Sequence, residues 1–217
     1  MSTNKSKVAI IGVGNIGKAV ATNLVKGTRP VILASRKFED AKALAQQLGN
    51  LATPMEISAA IKEAEIIIFA VWFSSIKELL HQHASALQGK IIVDPSNPIA
   101  PDGKGGFVKV IGEKESAGEI LLALLPNVAK FVKAFGTLGA ASLSSAANRK
   151  TERAVLFYAT NDASLNKIVD ELIHDSGFDS LRIGNIDQSI RLEVFGELHE
   201  FGALGKTVTL SEMKEKV

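Results

Sequence analysis

Val8-Ala9-Ile10-Ile11-Gly12-Val13-Gly14-Asn15-Ile16-Gly17 is the stretch that decides the fold. Four apolar residues of strand character run into glycines spaced Gly-x-Gly-x-x-Gly. A helical pattern then covers 15–26 and stops at Gly27. In this spacing the first glycine allows a tight turn, the second lets backbone approach a pyrophosphate, and the third permits close helix–strand packing. The helix N-terminus beyond offers free N–H groups and a partial positive charge. The motif alone also occurs as a plain turn in unrelated α/β proteins. Here it follows a strand and precedes a helix, which is the context dinucleotide binding requires. Gly12, Val13, Gly14, Asn15, Ile16 and Gly17 are therefore the expected phosphate-binding residues.

Working outward, short apolar runs alternate with amphipathic segments, as in parallel βαβ units. Strands are predicted at 31–34, near 51–53, and over 65–71, 90–94, 129–135 and 154–159, with a short last one at 181–183. Helices are predicted over 38–48, 56–64, 75–87, 116–125, 163–175 and 187–201. Residues 99–115 hold Pro101, Gly103, Gly105, Gly106 and Gly112 and read as a loop excursion. The expected fold class is α/β, a Rossmann NAD(P)-binding doubly wound parallel sheet with a small α/β C-terminal extension. The expected division is a dinucleotide-binding domain over 1–137 and an extension over 138–217, which serves the acceptor site and dimerisation.

The chain has 217 residues, 46% of them hydrophobic and 22% charged, enough for a sizeable core. A net charge of +2 points to neither nucleic acid nor an anionic membrane as partner. There is no cysteine, which excludes disulfides, thiolate metal sites and thiol nucleophiles. Met1 to Lys7 is polar and runs straight into the first strand without a signal-like apolar region, so a cytoplasmic location is expected.

The second strand ends in Ala34-Ser35-Arg36-Lys37, with no acid before Glu39. A site for NAD places a carboxylate there, about 20 residues past the glycines, where it bonds the ribose and repels a 2′-phosphate. Arg36 can grip a phosphate, Ser35 can donate to it and Lys37 adds charge, so NADP(H) is the expected cofactor. The alternative is that Arg36 and Lys37 are solvated residues at a helix start, where cations are slightly unfavourable. Ligands of this fold lie beyond the C-terminal strand ends. Ala70, Val71, Trp72, Asn97, Pro98, Ala134 and Gly136 are the candidates there. Trp72 suits stacking on a planar partner and equally suits core packing or a subunit contact. His81 and His83 sit two apart on different helix faces, His174 and His199 look isolated, and Lys133 suits either a polar group at the site or, more plainly, a strand-edge cation. No catalytic constellation and no metal motif stands out.

The chain resembles the small NADP oxidoreductases typified by the NADPH-dependent reductase of coenzyme F420, a deazaflavin. It is also similar to the reductase module of membrane ferric reductases. The likeness rests on Ile11–Gly17, Ala34-Ser35-Arg36, Val93-Asp94-Pro95-Ser96-Asn97-Pro98, Ser116-Ala117-Gly118-Glu119, Val132-Lys133-Ala134-Phe135, Phe157–Asp162 and Arg191-Leu192-Glu193. It extends to Phe201-Gly202-Ala203-Leu204-Gly205. The resemblance implies NADPH at Val13–Ile16, Ser35 and Arg36, a flavin-like or deazaflavin acceptor, and a homodimer. The chain departs from the family pattern where Trp72 stands in place of proline and Gly136 in place of asparagine. A free flavin, a quinone and a ferric chelate are variants of the acceptor. Two other functions stay open: a non-catalytic NADPH sensor, and an imine or β-hydroxyacid dehydrogenase. The latter class usually adds a long all-helical C-terminal domain.

Overall fold

Six parallel strands, in the spatial order 52–54, 31–34, 8–11, 66–69, 91–94 and 130–133, form the sheet of the computed structural model, which describes residues 5–126 and 129–214. Met1–Asn4 of the polar start lie outside the described residues. The alternation expected from the sequence holds through β1 (Val8–Ile11), α1 (Asn15–Lys26), β2 (Val31–Ala34), α2 (Phe38–Leu48), β3 (Ala52–Pro54), α3 (Ile57–Glu63), β4 (Ile66–Phe69), α4 (Phe73–Gln82) and β5 (Ile91–Asp94). The segment read as a loop excursion carries an antiparallel hairpin, β6 (Ile99–Pro101) with β7 (Phe107–Lys109). Next come α5 (Ala117–Ala123), β8 (Lys130–Lys133) and α6 (Ala140–Ser145). The C-terminal part adds β9 (Val155–Tyr158), a 3-10 turn at Ala163–Leu165, α7 (Asn166–Asp175), β10 (Asp179–Arg182), a 3-10 stretch at Ile186–Arg191 and α8 (Leu210–Lys214).

Apolar runs without alternation suit strands covered on both faces, and both faces here are covered. Val8, Ile10, Ile66 and Ile68 pack into one layer with α1, α2, α6 and α7. Ala9, Ile11, Ile67 and Phe69 pack into the other with α3, α4 and α5. Strand order reverses between β1 and β4, so the ligand crevice of this fold opens outside their C-terminal ends.

The C-terminal part adds a separate two-stranded parallel sheet of β9 and β10. It meets the main sheet at one antiparallel bridge, where Ala159, just past β9, exchanges backbone hydrogen bonds of 2.9 and 3.0 Å with Lys133 at the end of β8. Arg29, only 2% exposed, clamps α7 from the end of α1 through Asp175 at 2.8 Å and Glu171 at 3.2 Å.

The helix expected over 187–201 is not formed. After the short 3-10 stretch the chain makes a series of turns. The reason is close backbone contact. A Cβ on Gly196 would stand 2.5 Å from the Ile190 carbonyl oxygen, and one on Gly202 would stand 1.8 Å from that of Gly196. The segment folds back on itself more tightly than a helix allows.

Candidate functional site

β1 delivers the glycine turn to the crevice. Gly12 has φ +103 and donates its N–H to the Ala34 carbonyl at 2.8 Å, tying the turn to the end of β2. A Cβ there would meet the Ala70 carbonyl at 2.4 Å, and one on Gly17 would meet the Gly12 carbonyl at 1.9 Å. Those two glycines are required by packing within the protein. Gly14 differs: nothing lies within 4 Å of its missing Cβ. It is the N-cap of α1, no side chain caps that helix, and its first turn carries no acid. The leading N–H groups of α1 therefore lack a side-chain acceptor and face open space, the arrangement that receives a pyrophosphate. Val13 and Ile16 are half-buried beside it, and Asn15 is exposed.

At the end of β2, Ser35 is half-buried while Arg36 and Lys37 are exposed. The nearest carboxylate that follows, Glu39, lies in the first turn of α2 and pairs with Lys42 at 3.4 Å. The residues present fit a nucleotide carrying a 2′-phosphate.

The ends of β4, β5 and β8 bound the rest of the crevice. Ala70 and Val71 are half-buried, and Trp72 is 53% exposed at the start of α4. Pro98, Ala134 and Gly136 are buried. A Cβ on Gly136 would stand 2.9 Å from the Pro95 carbonyl oxygen, so the turns after β5 and β8 touch through the glycine. Asn97 is engaged at both ends of its amide: Nδ2 donates to the Gly136 carbonyl at 3.0 Å, and Oδ1 accepts from the Val194 N–H at 2.7 Å. It ties together three segments far apart in sequence.

Beneath these turns lies a buried polar cluster that the sequence reading did not find. Lys133, expected as a strand-edge cation, is 1% exposed, and the chain just past β9 bridges to it through Ala159. Its Nζ donates to Asp94 Oδ2 at 2.7 Å and to the Ser96 carbonyl at 2.5 Å. Asp94 Oδ1 accepts from the Ser96 N–H at 2.8 Å. Glu193, also buried, accepts from the Gly118 N–H at 3.2 Å at the start of α5. Burial pushes the Glu193 carboxyl up from its ordinary value, against the opposing pull of the Lys133 charge. His199, placed by the sequence reading in a helix, sits buried in a turn. Desolvation lowers its imidazole to about 4, and its Nδ1 accepts from the Phe201 N–H at 2.9 Å. Glu200 accepts from the Gly139 N–H and from Ser142 Oγ. One signal for this cluster was present in the sequence: an acid closes the apolar run of β5 and a base closes that of β8. The two are direct neighbours in register, Asp94 opposite Lys133.

An open glycine turn over an uncapped helix, beside a basic strand end with no acid before Glu39, is the arrangement of an NADP-binding site. Residues 7–98 match the family described as NADP oxidoreductase, coenzyme F420-dependent, which agrees with the resemblance carried by the motifs. The chain is 30% identical over 190 residues to the metalloreductase STEAP3 of Rattus norvegicus, covering 86% of this chain and 36% of that protein. It spans between 22% and 36% of the length of the curated relatives it matches. Among solved structures, hypothetical protein SMa0349 from Sinorhizobium meliloti superposes with a TM-score of 0.82 at 28% identity, covering 96% of this chain and 97% of that one. An Arthrobacter protein assigned as an F420-dependent NADP reductase has the same fold, with a TM-score of 0.72 at 23% identity over 84% of this chain and 86% of that one. Among the described residues no helix is long and apolar enough to cross a membrane.

Proposed function

We propose that this protein is an NADPH-dependent reductase of a flat conjugated acceptor of the flavin or deazaflavin kind. One observation carries the cofactor half of the reading. The vacant space at Gly14, the uncapped start of α1 and the Ser35-Arg36-Lys37 end of β2 lie along one edge of the crevice. In this reading the α1 N–H groups of Asn15, Ile16 and Gly17 hold the pyrophosphate, and Ser35, Arg36 and Lys37 hold the 2′-phosphate. Ala70, Val71, Trp72, Asn97, Pro98, Ala134 and Gly136 shape the nicotinamide end. When bound, NADPH supplies a hydride, and its passage between two stacked rings needs no protein nucleophile. The protein's task is then orientation and exclusion of water. That suits the site, where Asp94 and Lys133 are paired with each other and Glu193 and Glu200 accept from the Gly118 N–H and from Ser142.

The acceptor half draws support from the description of the matching family and from the exposed Trp72. We further propose that residues 138–217 complete the acceptor side, that the working form is a homodimer, and that it acts in the cytoplasm.

The test is a titration with NADPH and NADH, followed by FMN, a deazaflavin, a quinone and a ferric chelate in turn, read by absorbance at 340 nm. Selective NADPH binding with turnover of a flavin or deazaflavin supports the whole reading. Turnover of the ferric chelate alone moves the acceptor toward the chemistry named for the STEAP3 relative. Binding without any turnover favours a sensor, and failure to bind either nucleotide defeats the proposal.

A further inference from the structure

Four described non-glycine residues have a left-handed backbone: Thr28, Phe135, Asn148 and Phe195. Asparagine tolerates that region, whereas an aromatic residue is strained in it. The two phenylalanines differ in what offsets the strain. Phe135, at φ +64, is fully buried within the core, so its packing compensates. Phe195, at φ +72, is 55% exposed. Little burial compensates it.

The strain is imposed by the surrounding turn. The Gly196 N–H donates to the Glu193 carbonyl at 2.8 Å, which closes a four-residue turn with Phe195 third. A positive φ at that place is the one glycine normally fills. The register cannot slide to put Gly196 there instead, because Gly196 is pressed against the carbonyls of Ile190 and Arg191. Val194 is bound by Asn97 at 2.7 Å, and Glu193 is anchored on α5. A strained conformation fixed from several sides, presenting an aromatic ring to solvent, is the pattern of a binding position rather than of a core residue.

The place matches. Asn97 holds this turn at the C-terminal end of β5, next to the end of β4, where Trp72 is likewise exposed. A hydride acceptor must lie against the nicotinamide, hence outside these strand ends. We propose that Phe195 is an acceptor-contact residue whose ring stacks on a planar conjugated acceptor and selects for it. The inference rests on the reductase reading above and deepens it.

The test uses the full chain loaded with NADP⁺ and titrated with FMN. Binding is followed by calorimetry and by the fluorescence of Trp72, the single tryptophan. Phe195→Asn places a residue suited to φ +72, so it should melt at or above the wild-type temperature. It should weaken FMN about tenfold, the order of a lost aromatic stacking contact. The KM for FMN should rise while NADPH affinity stays constant, and Phe195→Tyr should restore FMN binding. Unchanged FMN affinity in Phe195→Asn overturns the proposal. So does an unchanged affinity accompanied by a fall in mass by light scattering, which would make the ring a subunit contact. If the wild type binds NADPH but not FMN, this inference fails and the cofactor reading stands. If it binds neither, both fall.

Discussion

Gly14→Ala and Gly17→Ala separate the stability of the glycine turn from its use. At Gly17 a methyl would stand 1.9 Å from the Gly12 carbonyl oxygen, more than 1 Å inside the 3.0 Å that real Cβ atoms keep. Backbone must move, and overpacking of this kind costs about 1–3 kcal/mol or more. For a chain of this size that lowers Tm by roughly 2–12 °C. At Gly14 nothing lies within 4 Å, and φ −69 with ψ −167 suits any residue. The loss there is that of a weaker N-cap, under about 1 kcal/mol. Ligand binding should reverse the order of damage. NADPH at a hundredfold excess over its Kd stabilises the wild type by about 2.7 kcal/mol, roughly 5–10 °C. The methyl of Gly14→Ala fills the space for the pyrophosphate and removes charge-assisted hydrogen bonds of about 1.5–3 kcal/mol. A Kd raised about 10- to 100-fold leaves between about 0.4 and 1.4 kcal/mol of stabilisation at the same NADPH concentration. Differential scanning fluorimetry with and without NADPH reads both quantities. A Gly14→Ala protein that melts like the wild type and responds to NADPH as strongly would show that the phosphates do not lie at this turn.

Arg36→Ala removes the strongest candidate partner of a 2′-phosphate. Calorimetry should show NADPH weakened about 10- to 100-fold, with NADH changed little; equal loss for both nucleotides would contradict the assignment. Within the buried cluster, Asp94→Asn strands the Lys133 ammonium and Lys133→Met strands the carboxylate, each at about 3–5 kcal/mol. The double variant should recover most of that in urea unfolding, and purely additive losses would mean that the two groups do not act as a pair. His199 gives a pH signature. Its folded value of about 4 lies below the ordinary 6.5, so the unfolded chain takes up the proton first as pH falls. The contribution of neutral His199 is complete above about pH 6.5 and is lost as pH falls through 4, amounting to about 3 kcal/mol. His199→Asn, whose Oδ1 can take over the bond from the Phe201 N–H, should flatten that part of the stability–pH curve; identical wild-type and variant curves would refute it.

The nucleotide half of the site is legible in the sequence because its determinants are local. Gly12, Gly14 and Gly17 sit within one turn, and Ser35-Arg36-Lys37 follows a strand that any apolar-run reading finds. The proposed acceptor half draws on the turns after β4, β5 and β8 and on residues 193–201, and no short window contains their contacts. Lys133 illustrates the difficulty: its partners Asp94 and Ser96 lie at the end of β5 and in the turn after it, and its backbone bridges to Ala159, contacts that local pattern does not encode. The helix expected over 187–201 failed for a related reason. Gly196 reads as a weak helix residue, yet it marks a backbone-to-backbone contact, as Gly202 does just beyond the expected helix, that only the folded chain reveals. Gly136 reverses its meaning on the same ground. In sequence it looks like an amide lost from the acceptor pocket relative to the resembling family. In the structure its missing side chain lets the β8 turn touch the Pro95 carbonyl, and Asn97 binds the Gly136 carbonyl from the neighbouring turn. Gly136 is thus held by the same asparagine that binds the turn carrying Phe195. A back-substitution of Gly136 alone would collide with Pro95 before it restored any contact to a ligand.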